Sequence, residues 1–236
     1  MRCFLKDLTV VIPVYNEEAI ISTVIEDWID HLKHLNIDSA INAYNDGSTD
    51  QSLELLRELE PRHPELNVID KPNSGHGPTI LKGYREANSK WIFQVDSDNE
   101  MKAKDFVNLW KNRKKYDFLI GIRENRDQAI TRKIVSAISR ITVKLFYGQG
   151  VTDVNSPYRL IRKSKFEEIF DKIPKNTFAP NVIISGMAAN KNMKIYENLV
   201  PIEFRTTGEV SIKKWKLLKA AIKSWWQTVR FAWKEI

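Results

Sequence analysis

Short apolar runs rich in β-branched residues alternate along this chain with stretches whose apolar residues recur at helical spacing. Residues 8–14 form the first run, and residues 18–35 then bring Ile21, Ile25, Trp28, Ile29 and Leu32 onto one helical face. The unit recurs. Residues 39–44 lead through NDGSTD into a helix over 52–59, and residues 66–69 lead through KPNSGHG into a helix over 79–88. Residues 91–95 make a fourth strand, followed by a helix at 106–114, a strand at 118–122 and a long helical stretch at 129–147. Strands alternating with helices through short polar turns predict an α/β fold, with a mainly parallel central sheet flanked by helices on both faces.

In sheets of that kind the ligand binds beyond the carboxyl ends of the strands. The turns that follow these strands read YNEE, NDGSTD, NSGHG and DSDNE, all polar and three of them acidic. Asp96, Ser97 and Asp98 follow the apolar run WIFQV, and period-2 alternation puts both carboxylates on one side if the strand persists that far. Two convergent carboxylates suit Mg²⁺ or Mn²⁺, which prefer oxygen ligands and complete their shell with water and phosphate. Asn99 and Glu100 add further oxygens. The plainer reading of Asp-Ser-Asp is a solvated turn. No GxxxxGK[ST] occurs, and Gly75-His76-Gly77 has no third glycine at Ile80, so a phosphate here needs a metal and side-chain cations.

Composition narrows the classes. With 236 residues, 42% of them hydrophobic, the chain can bury one core without disulfides or a structural metal. Cys3 is the only cysteine, so no intramolecular disulfide forms and a cytoplasmic setting is expected. No apolar run approaches the roughly 18 residues that cross a bilayer, and the N-terminal residues lack the apolar core of a signal peptide.

The net charge of +7 is concentrated in the tail, where Lys213, Lys214, Lys216, Lys219, Lys223, Arg230 and Lys234 face only Glu209 and Glu235. Trp215, Leu218, Ile222, Trp225, Val229 and Trp233 recur there every three or four residues, which predicts an amphipathic C-terminal helix. A basic helix with tryptophans on its apolar side suits a membrane surface, where it would sit as a peripheral element on the cytoplasmic face. Docking on its own domain or on a partner chain is the alternative. A change of pattern near Thr206 to Gly208 divides the chain into residues 1–205 and a helical segment 206–236. The pI of about 9.3 raises a nucleic-acid-binding protein as a rival class. Acidic strand-end turns would repel a phosphate backbone, so no nucleic acid partner is expected.

Val11-Ile-Pro-Val-Tyr-Asn-Glu-Glu18, Asn45-Asp-Gly-Ser-Thr-Asp50, Asn73-Ser-Gly-His-Gly77 and Asp96-Ser-Asp98 stand in an order and at a spacing that resemble glycosyltransferase family 2, whose fold is the GT-A type. The segment VTDVNSPYRLIRK further resembles the polyprenyl-phosphate sugar transferases of that family, such as dolichyl-phosphate mannose synthase, and VPIEFRTTGEVS resembles a later motif of the same group. The resemblance implies a nucleotide-sugar donor carrying UDP or GDP, with Pro13, Tyr15 and Glu17 along the nucleotide, Asp46 reading the base and His76 joining the donor site. It makes Asp96 the first acid of the motif and Asp98 the acid that binds metal most directly. Glu100 would be a further ligand, although it replaces the amide usual there. Gly47, Ser48 and Asp50 read equally as turn and cap residues.

Family 2 members invert at the anomeric carbon, so the resemblance implies single displacement by an acceptor oxygen. A sugar hydroxyl would need a general base, whereas a lipid phosphate needs positioning more than deprotonation. Asp153, the one acid of the second motif, is then either a base or a loop-holding group. Asp98, Asp153 and Arg159 are the catalytic candidates. Arg162, Arg205 and Lys213 join Arg159 as cations suited to phosphate oxygens. A polyprenyl or dolichyl phosphate is the expected acceptor. A glycan or other hydroxyl acceptor, and a donor-binding relative without turnover, remain the alternatives.

Overall fold

The computed structural model describes residues 5–124, 130–148, 151–203 and 214–236, with side chains described over 5–124, 137–148, 151–203 and 221–236. Four parallel strands and their helices come first in the chain: β1 (Lys6–Val14), α1 (Ile21–His34), β2 (Ser39–Asp46), α2 (Ser52–Leu59), β3 (Leu66–Lys71), α3 (His76–Glu86) and β4 (Ser89–Gln94). Then follow α4 (Phe106–Asn112), β5 (Phe118–Arg123), α5 (Ile130–Tyr147), β6 (Arg159–Arg162), α6 (Lys163–Lys172), α7 (Pro180–Asn190), β7 (Ile195–Val200) and α8 (Lys214–Glu235).

The strands form one seven-stranded sheet in the order β3-β2-β1-β4-β6-β5-β7. β6 runs antiparallel to both of its neighbours, and every other pairing is parallel. The mainly parallel sheet expected from the pattern is therefore present, and its carboxyl ends share one edge. Elements β6, α6, α7 and β7 were not foreseen.

Strand alternation splits the buried residues between two faces. Val10, Ile12, Ile41, Phe93, Leu119 and Leu160 point toward α1, α2 and α4, where Trp28 meets the rings of Phe93 and Phe106 at 5.1 and 5.7 Å. Val11, Ile92, Phe118, Ile120 and Ile161 point the other way, toward α3, α6 and α7. Gly83 of α3 lies so close to β1 that a Cβ there would meet Val11 Cγ1 at 2.3 Å.

The C-terminal helix docks on the domain by part of its surface. Thr228, Val229, Phe231 and Ala232 are buried, the Tyr147 hydroxyl donates to the Thr228 carbonyl at 2.9 Å, and Lys172 pairs with Glu235 at 2.8 Å. Ile222, Trp225, Trp226 and Trp233 remain exposed. Of the predicted apolar stripe, Ile222, Trp225 and Trp233 thus face outward, with Val229 the exception. Trp215, Leu218 and the proposed boundary near Thr206 fall outside the described side chains. Among the described residues no helix is long and apolar enough to cross a membrane.

Candidate donor and metal site

The first two motifs build one structure. Asn16 takes a left-handed conformation with φ 55°, which asparagine tolerates better than most residues. Its N–H donates to Ser48 Oγ at 3.1 Å, and its Oδ1 accepts the Thr49 N–H at 2.8 Å. Glu17 N–H donates to Ser52 Oγ at 2.8 Å and Glu18 N–H to Asp50 Oδ2 at 3.1 Å, while Gln51 N–H donates back to Glu18 Oε2 at 2.9 Å. Amides of the two turns that lead into α1 and α2 are thereby satisfied by one another's side chains. Burial pushes the Asp50 carboxyl up, but hydrogen bonds from Ser52 and Glu18 outweigh it and hold it below its ordinary value. Gly47, with φ 67°, lets this turn approach the third motif, since a Cβ there would meet the Asn73 amide at 2.8 Å. Pro13 is buried at the end of β1 and Tyr15 is exposed beside it.

Asp46 is held from within the protein. It is buried, its carboxylate pairs with Lys71 Nζ, and it accepts the Ser74 and Gly75 N–H groups at 2.8 and 2.9 Å. With both oxygens engaged inside the protein, Asp46 braces the turn before α3.

β4 ends at Gln94, so the alternation that was to align the two acids stops earlier than expected. Parity still holds for the first of them. Ile92 and Gln94 face α3 and α7, and Asp96 extends that row: its Oδ1 accepts from Gln94 Nε2 at 3.0 Å and lies 2.9 Å from His76 Nε2 at the start of α3. Burial pushes the Asp96 carboxyl up, and the charges of His76 and Arg123 with the hydrogen bonds from His76 and Gln94 overcome it, leaving the group below its usual range. The same pair acts on His76: partial desolvation against the sheet edge lowers it, and Asp96, followed by Asp98 and Asp46, raises it above its ordinary value. Ser97 is buried between two partly exposed acids.

Asn99 then turns the chain with φ 58°, and the Glu100 N–H donates to Asp98 Oδ1 at 3.2 Å. Among the described residues no group of three or more His, Cys, Asp or Glu is gathered as a metal site. Two carboxylates with hard oxygens fit an ion that keeps several waters and takes its remaining ligands from phosphate.

On the other side of β4 the pattern of roles changes. Arg123, which the motif reading passed over, ends β5 and forms a fork with Asp153: Nε to Oδ2 at 2.6 Å and Nη2 to Oδ1 at 2.8 Å. Its signal was the strand-end rule itself, because Arg123 follows the run 118–122 at the ligand edge. Arg159 is wholly buried, and its guanidinium donates to the carbonyls of Ser156, Asn181 and Val154. Burial lowers it to about 10. This corrects its assignment as a catalytic contact, since an arginine sealed among carbonyls cannot reach a substrate phosphate.

Arg162 needs the same correction for a different reason. β6 is antiparallel, with Arg159 opposite Gln94 and Arg162 opposite Trp91, so Arg162 sits at the end of the sheet away from the acids. Three residues along a strand also reverse the face: Arg162 donates to the Arg113 and Tyr116 carbonyls and stacks 4.6 Å from the Trp91 ring. Arg205 and Lys213 lie outside the described residues.

Residues 9–170 match the model of the family described as glycosyl transferase family 2. The chain belongs to glycosyl transferase family 2. Among curated family relatives, it is similar to the undecaprenyl-phosphate 4-deoxy-4-formamido-L-arabinose transferase of Photorhabdus laumondii, with 26% identity over 194 residues, 81% of this chain and 59% of that one. A dolichyl-phosphate beta-glucosyltransferase of Trichomonas vaginalis is 23% identical over 234 residues, 91% of this chain and 68% of that one. The chain therefore spans about three fifths of the length of the Photorhabdus protein.

Among solved structures, glucosyl-3-phosphoglycerate synthase from Mycobacterium tuberculosis, in complex with Mn²⁺, UDP and glucosyl-3-phosphoglycerate, superposes with a TM-score of 0.65. It is 13% identical, with 96% of this chain and 80% of that one covered, and it shows the shared GT-A fold. The family 2 match runs from β1 into α6 and ends before α7, so Asn181 and Ser185, which hold Arg159, lie beyond it.

Proposed function

We propose that this chain is a glycosyltransferase that moves a sugar from a UDP- or GDP-sugar to a polyprenyl or dolichyl phosphate at a membrane surface. The observation that carries this reading is the convergence of the interlocked first turns, the Asp46 brace and the Asp96 to Asp98 turn at one edge of the sheet. The acceptors in the names of both curated relatives support the second half of it.

Pro13, Tyr15 and Glu17 would lie along the nucleotide, and Asp96 and Asp98 would hold Mg²⁺ or Mn²⁺, with Glu100 a further oxygen nearby. Bound there, the ion supplies Lewis-acid stabilisation of the departing nucleoside diphosphate. His76 and Gln94 orient Asp96, and the Arg123 charge lies close enough to act on it. An acceptor phosphate oxygen attacks the anomeric carbon from the side opposite the leaving group, which inverts that centre. It needs alignment and no base. Asp153 suits that chemistry as the loop-holding group, since the Arg123 fork occupies both of its oxygens.

Arg205 and Lys213 add positive charge for the anionic acceptor. Residues 1–205 form the catalytic domain, and the basic segment 206–236 rests on the cytoplasmic face of the membrane, peripherally. Ile222, Trp225, Trp226 and Trp233 would meet the headgroup level there, and Lys223, Arg230 and Lys234 the anionic lipid.

The test is transfer of labelled sugar from a panel of UDP- and GDP-sugars, with and without Mn²⁺, to undecaprenyl or dolichyl phosphate in vesicles, set against free sugars. Metal-dependent labelling of the lipid is expected. Labelling of free sugars with none on the lipid would sink the acceptor assignment.

A further inference from the structure

Asp96 is oriented by a side chain that is itself wholly buried. Gln94 shows no exposed surface, and the direction of its amide is set by its neighbours. Asn181 Nδ2, from the first turn of α7, donates to Gln94 Oε1 at 2.8 Å. The Tyr84 hydroxyl of α3 lies 2.9 Å from that same oxygen and 2.9 Å from Asn181 Oδ1, so its one proton serves these two acceptors. With Oε1 committed to Asn181, Nε2 must point the other way, and it donates to Asp96 Oδ1 at 3.0 Å. Three buried side chains from β4, α3 and α7 thus close a polar ring whose outward bond goes to the acid. Buried groups paired in this way hold a fixed geometry because any rotation leaves a donor or acceptor without water or partner.

The ring is anchored in turn. Arg159 donates to the Asn181 carbonyl at 3.1 Å and to Ser185 Oγ at 3.4 Å, fixing the start of α7 against β6. The other bond to Asp96 comes from His76, whose side chain is 52% exposed and which can turn into solvent. The buried amide cannot, and both bonds fall on Oδ1.

We propose that Gln94 and Asn181 are positioning residues that lock the Asp96 carboxylate so that its Oδ2 meets the divalent cation on the donor diphosphate. This rests on the metal-dependent donor site proposed above. Carboxylate ligands held from behind by hydrogen bonds lose metal affinity by about 10- to 100-fold when that support is removed.

Two variants separate the relay from its surroundings. Gln94→Met keeps length and volume and removes both polar ends. Asn181→Asp keeps shape but replaces the donor that orients the amide with an acceptor, so the Gln94 amide turns over and presents its oxygen to Asp96. Mn²⁺ is titrated at fixed nucleotide sugar, with donor binding followed by calorimetry and thermal shift. Binding of the nucleoside monophosphate, which lacks the diphosphate, is measured beside it.

The half-saturating Mn²⁺ concentration should rise about 10- to 100-fold in both variants, with nucleoside monophosphate binding unchanged. General damage to the fold would weaken both ligands together, which would overturn the proposal, as would a wild-type Mn²⁺ requirement in either folded variant. A wild-type protein that binds the donor equally well without metal would instead remove the metal reading, and the relay with it.

Discussion

The sheet joins two regions along the ladder between β4 and β6, and they arrange their charged groups differently. On the β3-β2-β1-β4 side the polar residues of the motifs sit in turns at the sheet edge, bonded to one another over short distances and partly open. On the β6-β5-β7 side the arginines of the motif turn inward and bind carbonyls. Strand direction accounts for the contrast. Parallel strands deliver every following turn to the same edge, whereas antiparallel β6 carries its later residues away from it. An acid at the end of a parallel strand is placed for a ligand, and a cation on the reversed strand is placed to hold the fold together.

That contrast predicts activity loss with little stability loss at Asp98, and a stability loss at Arg123. Asp98→Ala should lower sugar transfer by about a thousandfold, as several kcal/mol of leaving-group stabilisation disappear. The unfolding midpoint without ligand should barely move, and a large drop would break the comparison. Arg123→Leu removes the cation facing Asp153, a pair whose side chains are only 9% and 17% exposed. Urea unfolding should show a loss of about 3 kcal/mol.

Gly83→Ala forces a methyl group against Val11 and should lower stability by about 2 kcal/mol, more than the gain in helix propensity returns. Metal dependence of donor binding should persist in this variant, as calorimetry can check. Asp50→Ala removes acceptors from Ser52 and Glu18 and should destabilise by about 1 kcal/mol in the same unfolding assay.

The first region was legible because its signals are local. Apolar runs, helical spacing and turn residues recur within each βα unit, and the reading of Gly47, Ser48 and Asp50 as turn and cap residues matches their bonds. The second region hid its structure for identifiable reasons. Helix α7 is buried over Pro180–Asn190 apart from its last residue, so no polar face marks a period. β6 has only four residues, and nothing in RLIR reveals which way the strand runs. Without that direction Arg159 and Arg162 looked like neighbours at one site, and Arg123, outside every motif, looked like none. The bracing of Asp46 stayed hidden because its partners Lys71, Ser74 and Gly75 come from a different unit.

The bonds between Asn16 and Thr49, and the one from the Gln51 N–H to the Glu18 side chain, join positions 33 residues apart. Neither turn can reach its final shape until the strand carrying the other has arrived, so this rim of the protein should assemble late and in one cooperative event. A chimera that borrowed one of the two turns from a distant relative would inherit half a clasp, and exchanging them as a pair is the viable route.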